Sequence, residues 1–259
     1  MCNSGEYKCI YSRILIIKPL SFLFIFSRDK MTNITYYDLE LEGFEGVVFS
    51  PNTAKTRYTL NFKGIPYHTE WVNFKRLREI IPKIVPYEGR PTVPVIVSDG
   101  KGIRESWDIA NYLEEAFPDK PSVFNGNPGV HKFFETYCYK NITVNIYRIV
   151  VLDIQERSGD KEWHRQDREK LIGMPLEKFA GHPDDHKPAL KEALTPVHAV
   201  LQKYPFITGE KAGYSDIVLA AAFVMLNVVR PDLFHSHLLD LFEDDVLSNW
   251  WKRTEYFRQ

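Results

Sequence analysis

Cysteine is scarce in this chain. Its 259 residues include three, Cys2, Cys9 and Cys138, too few for a bridge-stapled secreted scaffold and spaced unlike a zinc site. The expectation is a reducing, cytoplasmic setting and no metal. Charge of one sign is lacking as well. Lys+Arg 33 against Asp+Glu 34 leave a formal net charge of −1, so no global field draws the chain to nucleic acid or an anionic membrane. Basic pairs such as Lys75-Arg76 and Lys252-Arg253 sit near Glu79 and Glu255 and read as solvated faces. Long apolar runs are missing too. The longest candidate, within residues 1–30, is broken by Lys18-Pro19 and falls short of the ~20 apolar residues a membrane helix needs. Nor does Ser27-Arg28-Asp29-Lys30 offer a small-residue cleavage site. The expectation is that Met31 is the working start and that 1–30 is an extension outside the fold. There is no internal repeat and no low-complexity segment.

What is present is a sizeable core, at 44% hydrophobic and 26% charged residues, enough for one large domain or two ordinary ones. The chain turns on Val47-Val48-Phe49-Ser50-Pro51-Asn52-Thr53, read as a strand ending in a loop and then the start of a helix. Proline suits the first helical position, having no N–H to leave unpaired. Ser50 before it is a good N-cap. Such a helix start also presents unpaired N–H groups and a positive dipole, so it suits an anion, and a hydroxyl there can serve a thiolate instead of the helix.

From residue 34 the pattern alternates. A strand is expected at 35–39, a helix at 52–63 closed by Gly64, and a parallel strand at 67–72. A short basic helix at 74–81 is expected to end at Pro82. A strand at 90–97 then carries Val93-Pro94, where a cis bond is admissible. Ser98-Asp99-Gly100-Lys101-Gly102 reads as a hairpin turn to a short strand at 103–104, and Glu105-Ser106 opens a helix over 107–117. This order is a thioredoxin-like layer of about 90 residues.

Residues 118–128, rich in proline, glycine and asparagine, read as a linker. Strand signals then stop. One long helix is expected over 130–156, a charged segment at 160–170 and an amphipathic helix at 188–204. A helix hydrophobic all round follows at 214–229, as at the centre of a bundle, and 238–257 completes it. The fold class is an α/β thioredoxin-like N-terminal domain, residues 32–120, and an all-α helical C-terminal domain, residues 128–259.

These features together resemble the cytosolic glutathione transferases. The landmarks fall in the family's order: Ser50-Pro51, Thr92-Val93-Pro94, Glu105-Ser106, and Asp216 in the central helix. Phe49-Ser50-Pro51 with Lys55-Thr56-Arg57 and Lys63-Gly64-Ile65 is similar to the omega-like and β-etherase-like branches. The Ser-Pro-Asn-Thr form resembles most the fungal etherase-related (FuA) class. The resemblance implies glutathione as co-substrate. Glu105 would meet its γ-glutamyl ammonium, Ser106 its α-carboxylate, and the backbone of Val93, ahead of Pro94, its cysteinyl part. Ser50 would be the catalytic donor to the sulfur, with Asn52 or Thr53 as the alternative donors. A serine, unlike a cysteine, forms no mixed disulfide, which favours thiolate addition or substitution over disulfide reduction.

The implied activity is conjugation or exchange of glutathione on a hydrophobic aromatic electrophile, as in detoxification, with aryl ethers one substrate class. The alternative is a non-catalytic, ligandin-like carrier of aromatic compounds on the same fold. Many family members are homodimers, so a homodimer is the partner expectation beside the small molecules. Two departures from the family pattern stand out: Ala54 where a bulky tryptophan is usual, implying a wider pocket, and Gly213 where Ser or Thr usually caps the central helix. Tyr137, Tyr139, Tyr147 and Trp163 are candidates for the electrophile pocket. His182-Pro183-Asp184-Asp185-His186 reads as a solvated loop and not a metal site.

Overall fold

The computed structural model describes residues 33–86 and 88–259. The expectations for residues 1–30 and Met31 lie outside the described residues. β1 (Ile34–Leu39) is one of the two inner strands of a four-stranded mixed sheet of order β2-β1-β3-β4. It pairs parallel with β2 (Tyr67–Val72), Ile34 opposite Tyr67. It pairs antiparallel with β3 (Val95–Ser98), Ile34 opposite Ser98. β3 turns through Asp99 and Gly100, both at positive φ, into β4 (Lys101–Arg104). Two left-handed residues make the tight hairpin that matches strand twist, so β4 begins two residues earlier than expected.

α1 (Pro51–Lys63) and α3 (Ser106–Ala116) cover one face of the sheet. Ile34 and Tyr36 meet Leu60, Ile96, Ile109 and Leu113 there. α1 is also bound by polar groups. The Tyr36 hydroxyl donates to the Thr53 carbonyl at 2.8 Å, and Arg57 reaches Asp38 at 3.1 Å beside the Tyr36 and Trp71 rings. On the other face lies α2 (Phe74–Ile84), capped by Asn73 and burying Phe74, Leu77 and Ile81. It runs through Pro82, where an end was expected. A proline removes one N–H and crowds the preceding turn, but only the last turn follows, and Val85 still donates to the Ile81 carbonyl at 2.9 Å. β3 starts after Pro94, which has no N–H to give the ladder.

The rest is helical. α4 (Pro128–Cys138) and α5 (Val144–Glu156) are joined by a π turn over Tyr139–Thr143, so the single long helix expected at 130–156 contains a one-turn widening. α6 (Lys161–Ile172) is capped by Asp160. A short α7 (Leu176–Ala180) and a 3₁₀ turn (Pro183–His186), neither anticipated, lead to α8 (Lys187–Leu201). His182, Asp184 and Asp185 are exposed, as expected of a solvated segment, but the segment is a turn of helix and His186 at its end is buried. Among the described residues no His/Cys/Asp/Glu cluster could hold a metal ion, and no helix is long and apolar enough to cross a membrane.

α9 (Tyr214–Val229) is almost wholly buried and backs onto α1, and short helices follow it: α10 (Pro231–Phe234), α11 (Val246–Arg253) and α12 (Glu255–Arg258). The start of α9 is densely hydrogen-bonded. The Asp216 carboxylate accepts from Ile207 N–H at 2.9 Å, Trp250 Nε1–H at 2.9 Å, Thr208 Oγ1 at 3.0 Å and Gly213 N–H at 3.1 Å. Burial pushes its carboxyl up; those donors oppose the rise.

Gly213 has its own reason. A Cβ there would sit 3.0 Å from His131 Cε1 and 3.0 Å from the Val123 carbonyl oxygen. The His131 ring occupies the space a Ser or Thr would need, and it performs the cap. Its Nδ1 accepts from Ser215 N–H at 3.1 Å, and its Nε2–H donates to the Phe124 carbonyl at 3.1 Å. Burial lowers its pKa and keeps the ring neutral, as this arrangement requires.

Candidate functional site

A cavity of about 670 Å³ opens between the start of α1, the start of α3 and the faces of α4, α5 and α6. Ser50 lines it as the N-cap of α1, in extended conformation and 8% exposed. Its hydroxyl makes no capping hydrogen bond; the Ser50 carbonyl instead takes Ala54 N–H at 2.9 Å and the Thr53 hydroxyl at 3.2 Å. The serine side chain is thus at a helix start without being used by the helix. Asn52 also lines the cavity. Thr53 does not. It is fully buried with its hydroxyl turned to the Ser50 carbonyl.

The Val93–Pro94 bond is cis, and both residues line the cavity. Glu105 and Ser106 complete this group. Glu105, the N-cap of α3, has φ +65° and ψ 122°, a left-handed value that non-glycine residues rarely adopt and that costs about 1–3 kcal/mol. Ser106 is 8% exposed. Six of the seven residues picked from the sequence therefore meet at one cavity; Thr53 stands behind it.

The other side of the cavity is helical. Tyr139, Tyr147 and Trp163 line it, whereas Tyr137 gives its hydroxyl to the Ala193 carbonyl at 2.6 Å and stays out. Ala54 is fully buried in the core and does not line it, so its small side chain does not widen the pocket. Among the described residues no cysteine lines it either. Cys138 is buried, and burial pushes its thiol up to about 12, which leaves it an inert core residue.

Several cavity residues escaped sequence reading. Lys55 and Lys132 clamp Glu135 at 2.8 and 2.7 Å. Burial raises the Glu135 carboxyl, but the two ammonium groups outweigh it and hold the pKa low. On α6, His164 is fully buried, its Nδ1–H donating to Gln155 Oε1 at 2.5 Å and its Nε2 lying 3.5 Å from Arg168 Nε. Burial first, then the charges of Arg168 and Arg90, push it down to about 3. Arg90 holds Asp167 at 2.8 Å, and Arg168 reaches the same carboxylate at 3.7 Å. The i, i+4 spacing of His164 and Arg168 was the signal available in the sequence.

Residues 49–116 match the model of the glutathione S-transferase N-terminal domain, and residues 129–257 that of the glutathione S-transferase C-terminal domain. A small mixed sheet in an N-terminal domain followed by a helical C-terminal domain is the architecture of that family. The chain belongs to the glutathione S-transferase family. It is similar to GSTFuA3 from Phanerochaete chrysosporium, 26% identical with a TM-score of 0.76 over 87% of this chain and 97% of that one. A glutathione S-transferase of Ceriporiopsis subvermispora, solved in complex with glutathione, gives 26% identity and a TM-score of 0.75 over 86% and 97%. The glutathione S-transferase-like protein ustS of Aspergillus flavus is 24% identical over 231 residues, 78% of this chain and 82% of its own.

Proposed function

We propose that this protein is a serine-type glutathione transferase that joins the glutathione thiolate to hydrophobic aromatic electrophiles. Residues 32–120 bind the tripeptide, and residues 128–259 supply the acceptor wall. The observation that carries the reading is the Ser50 hydroxyl, at a helix start and on the cavity, yet making no bond to its own helix.

In this reading the γ-glutamyl end lies at the start of α3. Glu105 takes its ammonium, and Ser106, by hydroxyl and backbone N–H, takes its α-carboxylate at the positive end of the helix. The cysteinyl backbone pairs with Val93 like an added strand, beside Pro94. The sulfur then lies over the start of α1, where the dipole and a hydrogen bond from Ser50 lower the thiol pKa and enlarge the thiolate fraction. Asn52 is the alternative donor from the cavity wall. Sulfur attacks the electrophilic carbon, a C–S bond forms, and in substitution the leaving group departs with its electron pair. Positioning and electrostatic stabilisation supply the rate. Aryl ethers are one acceptor class. A thiol co-substrate fits a reducing cytoplasm, and we take the working unit to be a homodimer.

The test is glutathione binding and turnover with 1-chloro-2,4-dinitrobenzene in wild type, Ser50→Ala and Glu105→Ala. A lost hydrogen bond to a charged group is worth about 10–100-fold. Ser50→Ala should lose about that in kcat with binding kept, and Glu105→Ala about that in glutathione affinity. Binding of glutathione and aromatics without any turnover would identify a carrier. No glutathione binding would end both readings.

A further inference from the structure

We propose that Tyr214 is a positioning residue for Ser106: its hydroxyl, buried at the start of α9, fixes the Ser106 hydroxyl as the donor to the α-carboxylate of the γ-glutamyl group. The inference rests on the transferase reading above and adds to that site a residue from the helical part of the chain.

Tyr214 is fully buried, and among the described residues its hydroxyl has no hydrogen-bond partner. A buried hydroxyl left unpaired opposes folding, since it gives up its bonds to water and gains none. Phenylalanine would fill the same space without that loss, so the oxygen calls for a reason outside the fold. The hydroxyl lies beside the Ser106 side chain, whose approach acts against the rise that burial causes in the phenol pKa. Ser106 lines the cavity and Tyr214 does not, so the tyrosine stands behind the serine.

The ring is held on several sides. It meets Trp107 at 5.4 Å between centroids and 75°, and Phe124 at 5.4 Å and 61°. Its backbone N–H donates to the Val123 carbonyl at 2.7 Å. The next two residues anchor the helix: Ser215 N–H is taken by His131, and Asp216 gathers four donors. The phenolic oxygen is therefore fixed in place, and only its O–H torsion is free.

Burial, with Glu135 and Asp108 acting in the same direction, holds the phenol well above its ordinary value, so it stays protonated and can donate. A serine hydroxyl has one proton and two lone pairs. Once Tyr214 donates to the Ser106 oxygen, the serine proton must point elsewhere, and the cavity is where the proposed carboxylate lies. The outer bond is charge-assisted, and a hydroxyl that accepts one bond donates the next more strongly. The inner bond is open in the structure, and turning Ser106 toward the carboxylate closes it. The oxygen thus weakens the fold and strengthens the complex, two effects that one substitution separates.

The test is Tyr214→Phe, alone and with Ser106→Ala. Glutathione affinity is read by calorimetry, kcat and KM with 1-chloro-2,4-dinitrobenzene, and folding by thermal melts without glutathione. Tyr214→Phe should melt no lower than wild type, lose about 3–10-fold in glutathione affinity, raise the glutathione KM by the same factor and keep kcat. In the Ser106→Ala background the same change should have no effect on affinity. Nor should it change affinity for 4-aminobutyryl-cysteinylglycine, which lacks only the carboxylate in question.

Unchanged glutathione affinity in Tyr214→Phe overturns the proposal. So does a loss that persists in full in Ser106→Ala or with the decarboxylated tripeptide, since the hydroxyl then acts on another group. A lower melting temperature in Tyr214→Phe overturns it too, because the hydroxyl would then serve the fold. A wild type that binds no glutathione removes the transferase reading, and this role with it.

Discussion

The substitute cap at the start of α9 leads to a double-mutant prediction whose sign is unusual. His131→Ala removes the acceptor for Ser215 N–H and one of the two donors to the Phe124 carbonyl, which keeps Asn127 N–H at 2.9 Å. A lost cap costs about 1 kcal/mol, the lost hydrogen bond to the Phe124 carbonyl about another 1 kcal/mol, and the void left by a buried ring adds to both. The expected loss is about 2–4 kcal/mol. Gly213→Ser alone offers a conventional cap hydroxyl but drives its Cβ to 3.0 Å from His131 Cε1, 3.0 Å from the Val123 carbonyl oxygen and 3.1 Å from Thr208 Cγ2. Overpacking of this kind costs about 1–3 kcal/mol. In the double variant the ring is gone, one of the three close contacts goes with it, and the serine can cap. The pair should therefore be more stable than the sum of the single effects by about 1–2 kcal/mol, beyond the ~0.5 kcal/mol scatter of independent sites. Urea unfolding at about pH 7.5, read by tryptophan fluorescence and extrapolated linearly, measures it. Additive losses would refute the account of why glycine stands at 213. A pH series adds a check. The folded pKa of His131 lies below its ordinary value, so the unfolded chain takes the proton first as pH falls below about 6.5. Wild-type stability should decline from there downwards, and His131→Ala should lack that part of the decline.

Two further outcomes follow from buried charges. His164 is held at about 3 in the folded protein. Its share of the stability is complete above about pH 6.5 and falls by about 1.4 kcal/mol per pH unit below it; a His164→Gln variant whose stability difference from wild type is the same at about pH 7.5 and about pH 5 would contradict this. Lys63, 2% exposed, bonds Glu114 at 2.8 Å and the Pro121 carbonyl at 3.1 Å. Burial raises the Glu114 carboxyl, but hydrogen bonds from Lys63, Ser122 and Val123 N–H outweigh it and hold the pKa low. Lys63→Met should cost about 2–4 kcal/mol at neutral pH, and less at about pH 3, which lies below the ordinary carboxyl range, where the contribution of the depressed carboxyl is already falling. Equal loss at both pH values would show packing alone at work.

Much of the fold was legible because its boundaries are written in single residues. β2 and α9 have the expected limits, the first set off by Pro66 and Asn73, the second by Gly213 and an unbroken apolar run. The π turn was not legible, since hydrophobic spacing over one turn does not separate a widened helix from a regular one. The passage of α2 through Pro82 and the length of β4 were decided by neighbours in space. The same division holds at the cavity. Ser50, Val93, Pro94, Glu105 and Ser106 each sit where an element begins, and such positions carry their own sequence marks. Lys55, Glu135, Arg90, His164 and Arg168 lie inside helices or loops and acquire a role by converging from separate parts of the chain. His131 as a helix cap is of that kind too: it stands 84 positions before the Ser215 N–H it accepts from, and only the fold puts its ring there.

The backbone at Glu105 sets two selections against each other. With φ at +65° the position would be more comfortable as glycine, and a population of variants sorted on folding yield alone would drift toward the Glu105→Gly substitution. With the role proposed for Glu105, the same population sorted on thiol chemistry would hold the glutamate. The residue that best suits the chain's conformation and the one that best suits its chemistry differ at this point, so sequences drawn from the two sorts would diverge first there.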